Sequence, residues 1–309
     1  YYIINRRKKM DATKCEAILI AAETGSLTAA AERLGYTQSG ITRMLGSMEN
    51  EVGFSLFVRS KKGVQLTENG KAMLPLFREI VHAQQNALQF SADICGIIKG
   101  SLTIGCYYSI SAMWMPEILK EFRNRFPGVS IQMQEGGNLE MSKWLHENSV
   151  DCCFCAKPRS MDCDWLPVYQ DELVAWLPQN HPLALADSFP IENLEREPFI
   201  HTSPDHDTDQ DRLLAALQLH PQTRFTTRDG FTTYNMVSAG LGISFNQRLI
   251  AQKWDCNAVA QVPFSPPQFI ELGIAVPSMK DASPAAKKLI ECSIQCIKNM
   301  TEHPSSLKQ

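Results

Sequence analysis

The stretch that most limits the fold of this chain runs from Cys15 to Leu66. Three short helical patterns and two short strands follow one another there, divided by glycine turns. Cys15, Ile18, Leu19 and Ala22 share one face of a first helix, and Gly25 ends it. Ser26 is placed to cap a second helix, Leu27 to Leu34, rich in alanine. Gly35 and Tyr36 form a tight turn, and Thr37 caps a third helix running to about Val52. Ile41, Met44, Leu45, Met48 and Val52 make its apolar face; Gln38, Ser39, Thr42 and Arg43 lie opposite as two i,i+4 pairs. After Gly53, Phe54 to Arg59 and Val64 to Leu66 read as strands around the basic turn Ser60-Lys61-Lys62-Gly63. Two helices, a tight turn, a third helix and a basic hairpin make a winged helix-turn-helix over residues 10–66.

Such a unit reads DNA with short polar side chains near the start of the third helix. Gln38 can bond an adenine edge bidentately, and Arg43 a guanine edge or a phosphate. Ser39 and Thr42 are short enough to let the helix approach closely, and the helix start itself favours a phosphate. Arg59, Lys61 and Lys62 on the wing suit the DNA backbone or minor groove, which makes affinity salt-dependent. The competing reading, a solvated polar helix face, fits any one of these residues but not the ordered set. Net charge does not help. The chain carries −3, and residues 10–66 balance six basic against six acidic side chains.

Thr67 with Glu68 opens a long linker helix over residues 67–95. Leu74, Val81 and Leu88 recur every seven residues beside Phe77 and Ile80, with Gln84 and Ser91 interrupting and Pro75 expected to kink the start. This stripe is read as a dimerising seam, with packing inside the domain as the alternative. Gly96 to Gly100 is a hinge. Strand and helix signals alternate beyond it, which implies an α/β domain over 96–300 with mainly parallel sheets. Its size suits two lobes and a cleft.

Residues 15–74 resemble the DNA-binding domain of LysR-type transcriptional regulators. The likeness rests on Thr24-Gly25-Ser26-Leu27-Thr28-Ala29-Ala30-Ala31, Leu34, Thr37-Gln38-Ser39-Gly40-Ile41-Thr42-Arg43, Met48-Glu49, Val52-Gly53, Leu56-Phe57-Val58-Arg59 and Leu66-Thr67-Glu68-Asn69-Gly70. Leu102-Thr103-Ile104-Gly105, Pro116, Phe126-Pro127-Gly128-Val129, Glu135-Gly136, Val150-Asp151 and Ala239-Gly240-Leu241-Gly242-Ile243 continue it in the family's order. Thr37 and Thr42 stand where the family often has serine, and Gly40 where it has alanine. The resemblance implies a DNA-contacting set that adds Thr28 to the residues named above. It also implies a C-terminal fold like type 2 periplasmic binding proteins. Lobe I would span about 101–160 and 267–300, and lobe II about 161–266. Family members commonly form homotetramers as dimers of homodimers, and an activator would contact RNA polymerase.

Pockets in such folds form at the carboxyl ends of strands. Ser109 and Ser111 follow the first strand with hydroxyls beside free backbone N–H groups, suited to a carboxylate, though serine also caps helices everywhere. Asn138 follows the second strand behind Gly136-Gly137. Lys157, Thr202, Phe231 and Thr232 occupy the corresponding later positions. Lys157 as a charge partner favours an acidic, small-molecule effector.

Rival chemistries are weaker. His201 to Asp211 holds two histidines and four aspartates but lacks metal-ligand spacing, and an acidic helix start explains it. Cys152, Cys153, Cys155 and Cys163 invite a thiol redox-sensing reading, the alternative kept here, since one LysR-type branch senses peroxide through cysteines. The first three sit in an apolar strand, where cysteine behaves as a small hydrophobe. No P-loop, G-x-S-x-G or dinucleotide fingerprint occurs, so neither an enzyme nor a cofactor is expected. No apolar run reaches membrane-spanning length, and the early charges follow only a very short apolar stretch, so a cytoplasmic chain with reduced cysteines is expected. Met10 is a candidate start, and no function is assigned to residues 1–9.

Overall fold

The computed structural model describes residues 10–60, 63–159, 163–252, 254 and 258–302. The chain divides into two compact units near Gly100. The first holds helices α1 (Ala12–Thr24), α2 (Leu27–Leu34) and α3 (Gln38–Val52), a hairpin of β1 (Phe57–Ser60) and β2 (Gly63–Leu66), and α4 (Glu68–Ile94). Local chemistry sets these boundaries. Asp11, Ser26, Thr37 and Thr67 each accept a hydrogen bond from the backbone N–H three residues on, at 2.9, 3.2, 3.1 and 2.9 Å. Gly25, Gly35 and Gly53 end α1, α2 and α3 in the left-handed conformation.

Ile41, Leu45 and Met48 of α3 bury against Cys15, Ile18 and Ala21 of α1, with Ala30, Leu56 and Phe77 in the same core. Leu74, Ile80 and Val81 of α4 also pack on this core, whereas Leu88 is 64% exposed. The first half of the expected dimerising seam therefore packs in part on the domain's own core. A seven-residue repeat records an apolar face but not which surface covers it. Pro75 lies within α4, which continues through it as one helix.

The second unit is built from β3 (Gly100–Cys106), α5 (Tyr108–Met113), α6 (Met115–Arg125), β4 (Val129–Glu135), α7 (Asn138–His146), β5 (Cys152–Ala156) and β6 (Asp164–Pro178). It continues through β7 (Phe189–Pro190), β8 (Phe199–Thr202), α8 (Asp209–Leu217), β9 (Thr223–Thr227) and α9 (Gly230–Ser238). It ends with β10 (Ser244–Gln247), β11 (Val259–Val276) and α10 (Pro284–Glu302).

The main sheet has the order β10-β6-β11-β5-β3-β4, and β7 pairs with β11. β3 and β5 run parallel, but β5–β11, β11–β6 and β6–β10 are antiparallel. The expectation of mainly parallel sheets is corrected: this sheet is mixed. The antiparallel part arises because β6 and β11 are long strands passing from one lobe to the other. Leu272 to Ala275 of β11 pair with β5 in lobe I, and Leu173 to Trp176 of β6 pair with β10 in lobe II. The lobes thus divide inside continuous strands, so the early part of β6 lies with lobe I rather than lobe II.

In lobe II, Leu173, Ala175 and Leu177 of β6 face Phe189, Phe199, Phe245 and Phe264. Val174 and Trp176 face Tyr234 and Val237 of α9. Both faces of this strand are covered, which explains its unbroken apolar run.

Candidate functional site

The first unit presents α3 with its polar edge outward. Thr37, Gln38, Ser39 and Arg43 are exposed and Thr42 is half-buried. Thr28 on α2 and Arg59 on β1 are exposed as well; Lys61 and Lys62 lie outside the described residues. Thr37 Oγ1 caps α3 through Gly40 N–H at 3.1 Å and lies 3.1 Å from Ser39 Oγ. A Cβ at Gly40 would come within 3.2 Å of that capping oxygen, so glycine here keeps room for the threonine cap.

Three contacts hold the wing to α3 and its neighbours. Glu49 Oε1 accepts from Leu56 N–H at 2.7 Å and Phe57 N–H at 3.3 Å, tying α3 to β1. Val64 N–H donates to Gly25 O at 2.9 Å, joining β2 to the turn between α1 and α2. Gly70 lets α4 approach β1: a Cβ there would sit 2.2 Å from Leu56 O. Glu49 was legible only as part of a sequence pattern, because its partners are backbone groups seven and eight residues away.

In the second unit a cavity of about 610 Å³ lies between the lobes, lined by the turns at the carboxyl ends of β3, β4, β8, β9 and β10. Ser109, Asn138, Thr202 and Phe231 line it; Ser111, Lys157 and Thr232 are not among the lining residues. Ser111 and Thr232 are bonded elsewhere, and Lys157 is exposed. Ser111 Oγ donates to Glu135. The backbone oxygen of Lys157 accepts from Arg212 at 3.1 Å. Thr232 donates through N–H and Oγ1 to Asp229, the cap of α9.

The cavity also gathers residues that sequence reading did not single out. Tyr107 donates to Asn138, whose amide donates to Asp207 O across the lobes. Ser109 Oγ donates to Gln247 Oε1 at 2.8 Å, and Gln247 Nε2 donates to Asp209 Oδ2 at 2.5 Å. Gln247 thus bridges lobe I to α8. Burial raises the Asp209 carboxyl to about 6. Asp207, held bidentately by Arg212, is pushed below the usual carboxylate range by those hydrogen bonds. Trp254 stacks edge-on with Phe231 and Tyr234 at 5.2 and 5.1 Å and forms an aromatic wall. A strand-end position was the only signal for Gln247, and nothing local marked Trp254.

The acidic run is organised as a helix start. Thr208 and Asp211 form a capping box at α8, and His201 Nε2 lies 2.9 Å from Asp211. Among the described residues no group of three or more His, Cys, Asp or Glu is placed to hold a metal ion. Cys106, Cys152, Cys153 and Cys155 are buried, and desolvation raises all four thiols, Cys155 to about 12. Reactive sensor thiols have the opposite character.

These two sites match known proteins in order. The model described as "Bacterial regulatory helix-turn-helix protein, lysR family" matches residues 13–71, and "LysR substrate binding domain" matches 97–295. The chain belongs to the LysR family. It is a LysR-type transcriptional regulator, with a DNA-binding helix-turn-helix and a substrate-binding domain, and not an enzyme. An uncharacterized HTH-type transcriptional regulator, YvbU of Bacillus subtilis strain 168, is 29% identical over 289 residues, 91% of this chain and 97% of the relative. The transcriptional activator CmpR of Synechocystis is 30% identical over 60% of this chain and 61% of its own length. A full-length OxyR variant from Pseudomonas aeruginosa shares the fold with a TM-score of 0.76 and 22% identity, over 94% of this chain and 95% of that one. Full-length CbnR complexed with its target DNA has a TM-score of 0.64 and 18% identity, over 93% and 100%. Among the described residues of this regulator, no helix is long and apolar enough to cross a membrane.

Proposed function

We propose that this regulator binds a specific operator through α3 and the wing and changes that binding when a small molecule occupies the interlobe cavity. The observation that carries the reading is the cavity itself. Five turns from both lobes converge on it, and Gln247 links those lobes through side-chain hydrogen bonds. A ligand that replaces or reinforces these bonds biases the lobe arrangement by its differential affinity for the two states. Thr28, Thr37, Gln38, Ser39, Arg43 and Arg59 on the exposed face described above, with the half-buried Thr42, make the DNA-contacting set, and Lys61 and Lys62 join it by their place in the sequence. Ser109, Asn138, Thr202 and Phe231 face the effector.

The exposed end of α4 supports a homodimer, with two heads on two half-sites of a pseudo-palindrome, and pairing of dimers gives the homotetramer. Contact with RNA polymerase belongs to this reading if the protein activates. The cytoplasm, where the DNA is, is the compartment this function requires.

A gel-shift titration with the promoter region upstream of the chain's own gene tests the core of this. Specific binding that weakens steeply between 50 and 200 mM salt is expected, these being conditions under which phosphate contacts are lost. A folded protein with no preference for that DNA over a scrambled duplex would sink the reading. Relief of binding by peroxide, abolished by cysteine-to-serine changes, would replace the small-molecule effector with thiol chemistry.

A further inference from the structure

The cavity's charge runs against the acidic effector that Lys157 suggested. Glu135, Glu140, Asp209 and Asp229 line it, against Arg228 and His206. Two of the helix starts at the cavity already hold carboxylates of their own: Asp211 completes the capping box of α8, and Asp229 caps α9. The Ser109 hydroxyl is committed to Gln247.

One oxygen in this wall lacks a partner. Asp209 Oδ2 accepts from Gln247, but Oδ1 is shut from water and has no hydrogen-bond donor among the described residues. A carboxylate oxygen so placed is costly unless something donates to it. Across the same cavity, large aromatic side chains stand open: Phe231 is 56% exposed and Tyr108 59%, with Trp254 edge-on behind Phe231. Aromatic faces attract cations and bury apolar groups.

We infer that the effector carries a protonated amine on an apolar or aromatic body, with the ammonium paired to the Asp209 carboxylate, whose side chain turns to bring Oδ1 to the cavity, and the body against Phe231 and Trp254. This rests on the cavity being the effector site. Arg228, exposed on the lining, accommodates a carboxylate on the same molecule; the ammonium is the group the site requires.

Thermal-shift titration of the full chain at pH 8 tests this with 2-phenylethylamine, phenylalanine and 3-phenylpropanoate. The proteins compared are wild type, Asp209→Asn, Phe231→Ala and Ala112→Trp, all confirmed folded by circular dichroism. Ala112 is an exposed residue on the cavity lining, so tryptophan there fills the space. The two amines should stabilise wild type in a dose-dependent way, and the amine-free acid should not. Asp209→Asn should weaken the amines about tenfold or more, as loss of a charged hydrogen-bond partner does. Phe231→Ala, changed at an open side chain, should weaken them without harming the fold, and Ala112→Trp should abolish the response. Absence of any amine response in wild type, or an amine response unchanged in Asp209→Asn, overturns the inference. Stabilisation by 3-phenylpropanoate alone, lost in Ala112→Trp, also overturns it but leaves the cavity as the effector site. An amine response that survives Ala112→Trp removes both.

Discussion

Gln38 and Gly63 lie in the same domain and serve it in different ways. Gln38 is exposed on the first turn of α3, and no hydrogen bond within the described residues holds its side chain. The fold does not need it, so its replacement should be felt only by DNA. In Gln38→Ala the melting temperature should stay that of wild type while specific affinity falls by about 1–3 kcal/mol, the range for one bidentate base contact. Gel-shift titration against calorimetry separates the two quantities, and a matched loss on scrambled DNA would remove the base-reading role. Gly63 is the reverse. Its φ is +122°, and a Cβ there would stand 2.2 Å from the Gly25 carbonyl oxygen. Backbone meets backbone at that point, and no flexible side chain can yield. Gly63→Ala should therefore cost about 2–4 kcal/mol of stability in the DNA-binding domain. Its calorimetric transition should drop, and DNA binding should fail at temperatures where wild type still binds. A transition at the wild-type temperature would show that the wing is not pinned there.

At the scale of elements, β6 carries a buried charge problem. Asp171 is fully buried on it; its Oδ2 accepts from Leu249 N–H at 3.1 Å, and its Oδ1 has no hydrogen-bond partner among the described residues. Burial raises this carboxyl to about 7, against the lowering by the Leu249 and Glu172 N–H groups and Arg248. The unfolded carboxyl ionises near 4. A raised folded value means that the stabilising contribution is whole below about pH 4 and is lost as pH climbs through about 7. Asp171→Asn keeps an acceptor for Leu249 and abolishes the titration. Urea unfolding at pH 5, 6, 7 and 8 should show the variant gaining on wild type as pH rises, by an amount on the order of a few kcal/mol at pH 8. A pH-independent difference would show that Asp171 ionises normally in the fold. The same strand shows why sequence reading stopped where it did. Helices α1 to α3 start on Asp, Ser or Thr and stop on Gly, so their limits lie in the residues themselves. β6 contains Pro167 and Asp171, both poor strand formers, and only Leu173 to Leu177 read as strand. Its first half is held by pairing with β11, about 100 residues away. Cavity positions divide the same way. Ser109, Asn138, Thr202 and Phe231 were legible because turns after strands are local features. Gln247, Asp209 and Trp254 matter through tertiary neighbours, which a single sequence does not display.

For the whole molecule the question is how a chain of net charge −3 holds a polyanion. The basic groups that could meet phosphate are few: Arg43 and Arg59, with Lys61 and Lys62 next in sequence. One head supplies only a handful of contacts, and the rest of the chain is acidic. In the proposed dimer, pairing two heads would double the phosphate contacts without changing any residue, so dimerisation would govern both affinity and its salt dependence. The exposed apolar side chains near the end of α4 are the surface available for it, Leu88 at 64% and Ile94 at 87% exposed. The earlier part of the stripe is already spent on the domain core. Leu88→Glu places a charge on that outer surface and leaves the core untouched. Light scattering should then show a smaller assembly than wild type at the same concentration, while circular dichroism stays unchanged. On a two-half-site operator the slope of log affinity against log salt should fall to about half of the wild-type slope, since each phosphate contact contributes about −0.9. If the assembly shrinks and the slope holds, one head makes all the contacts and the operator is not read as a pair. If neither changes, the molecule assembles through a surface other than the end of α4.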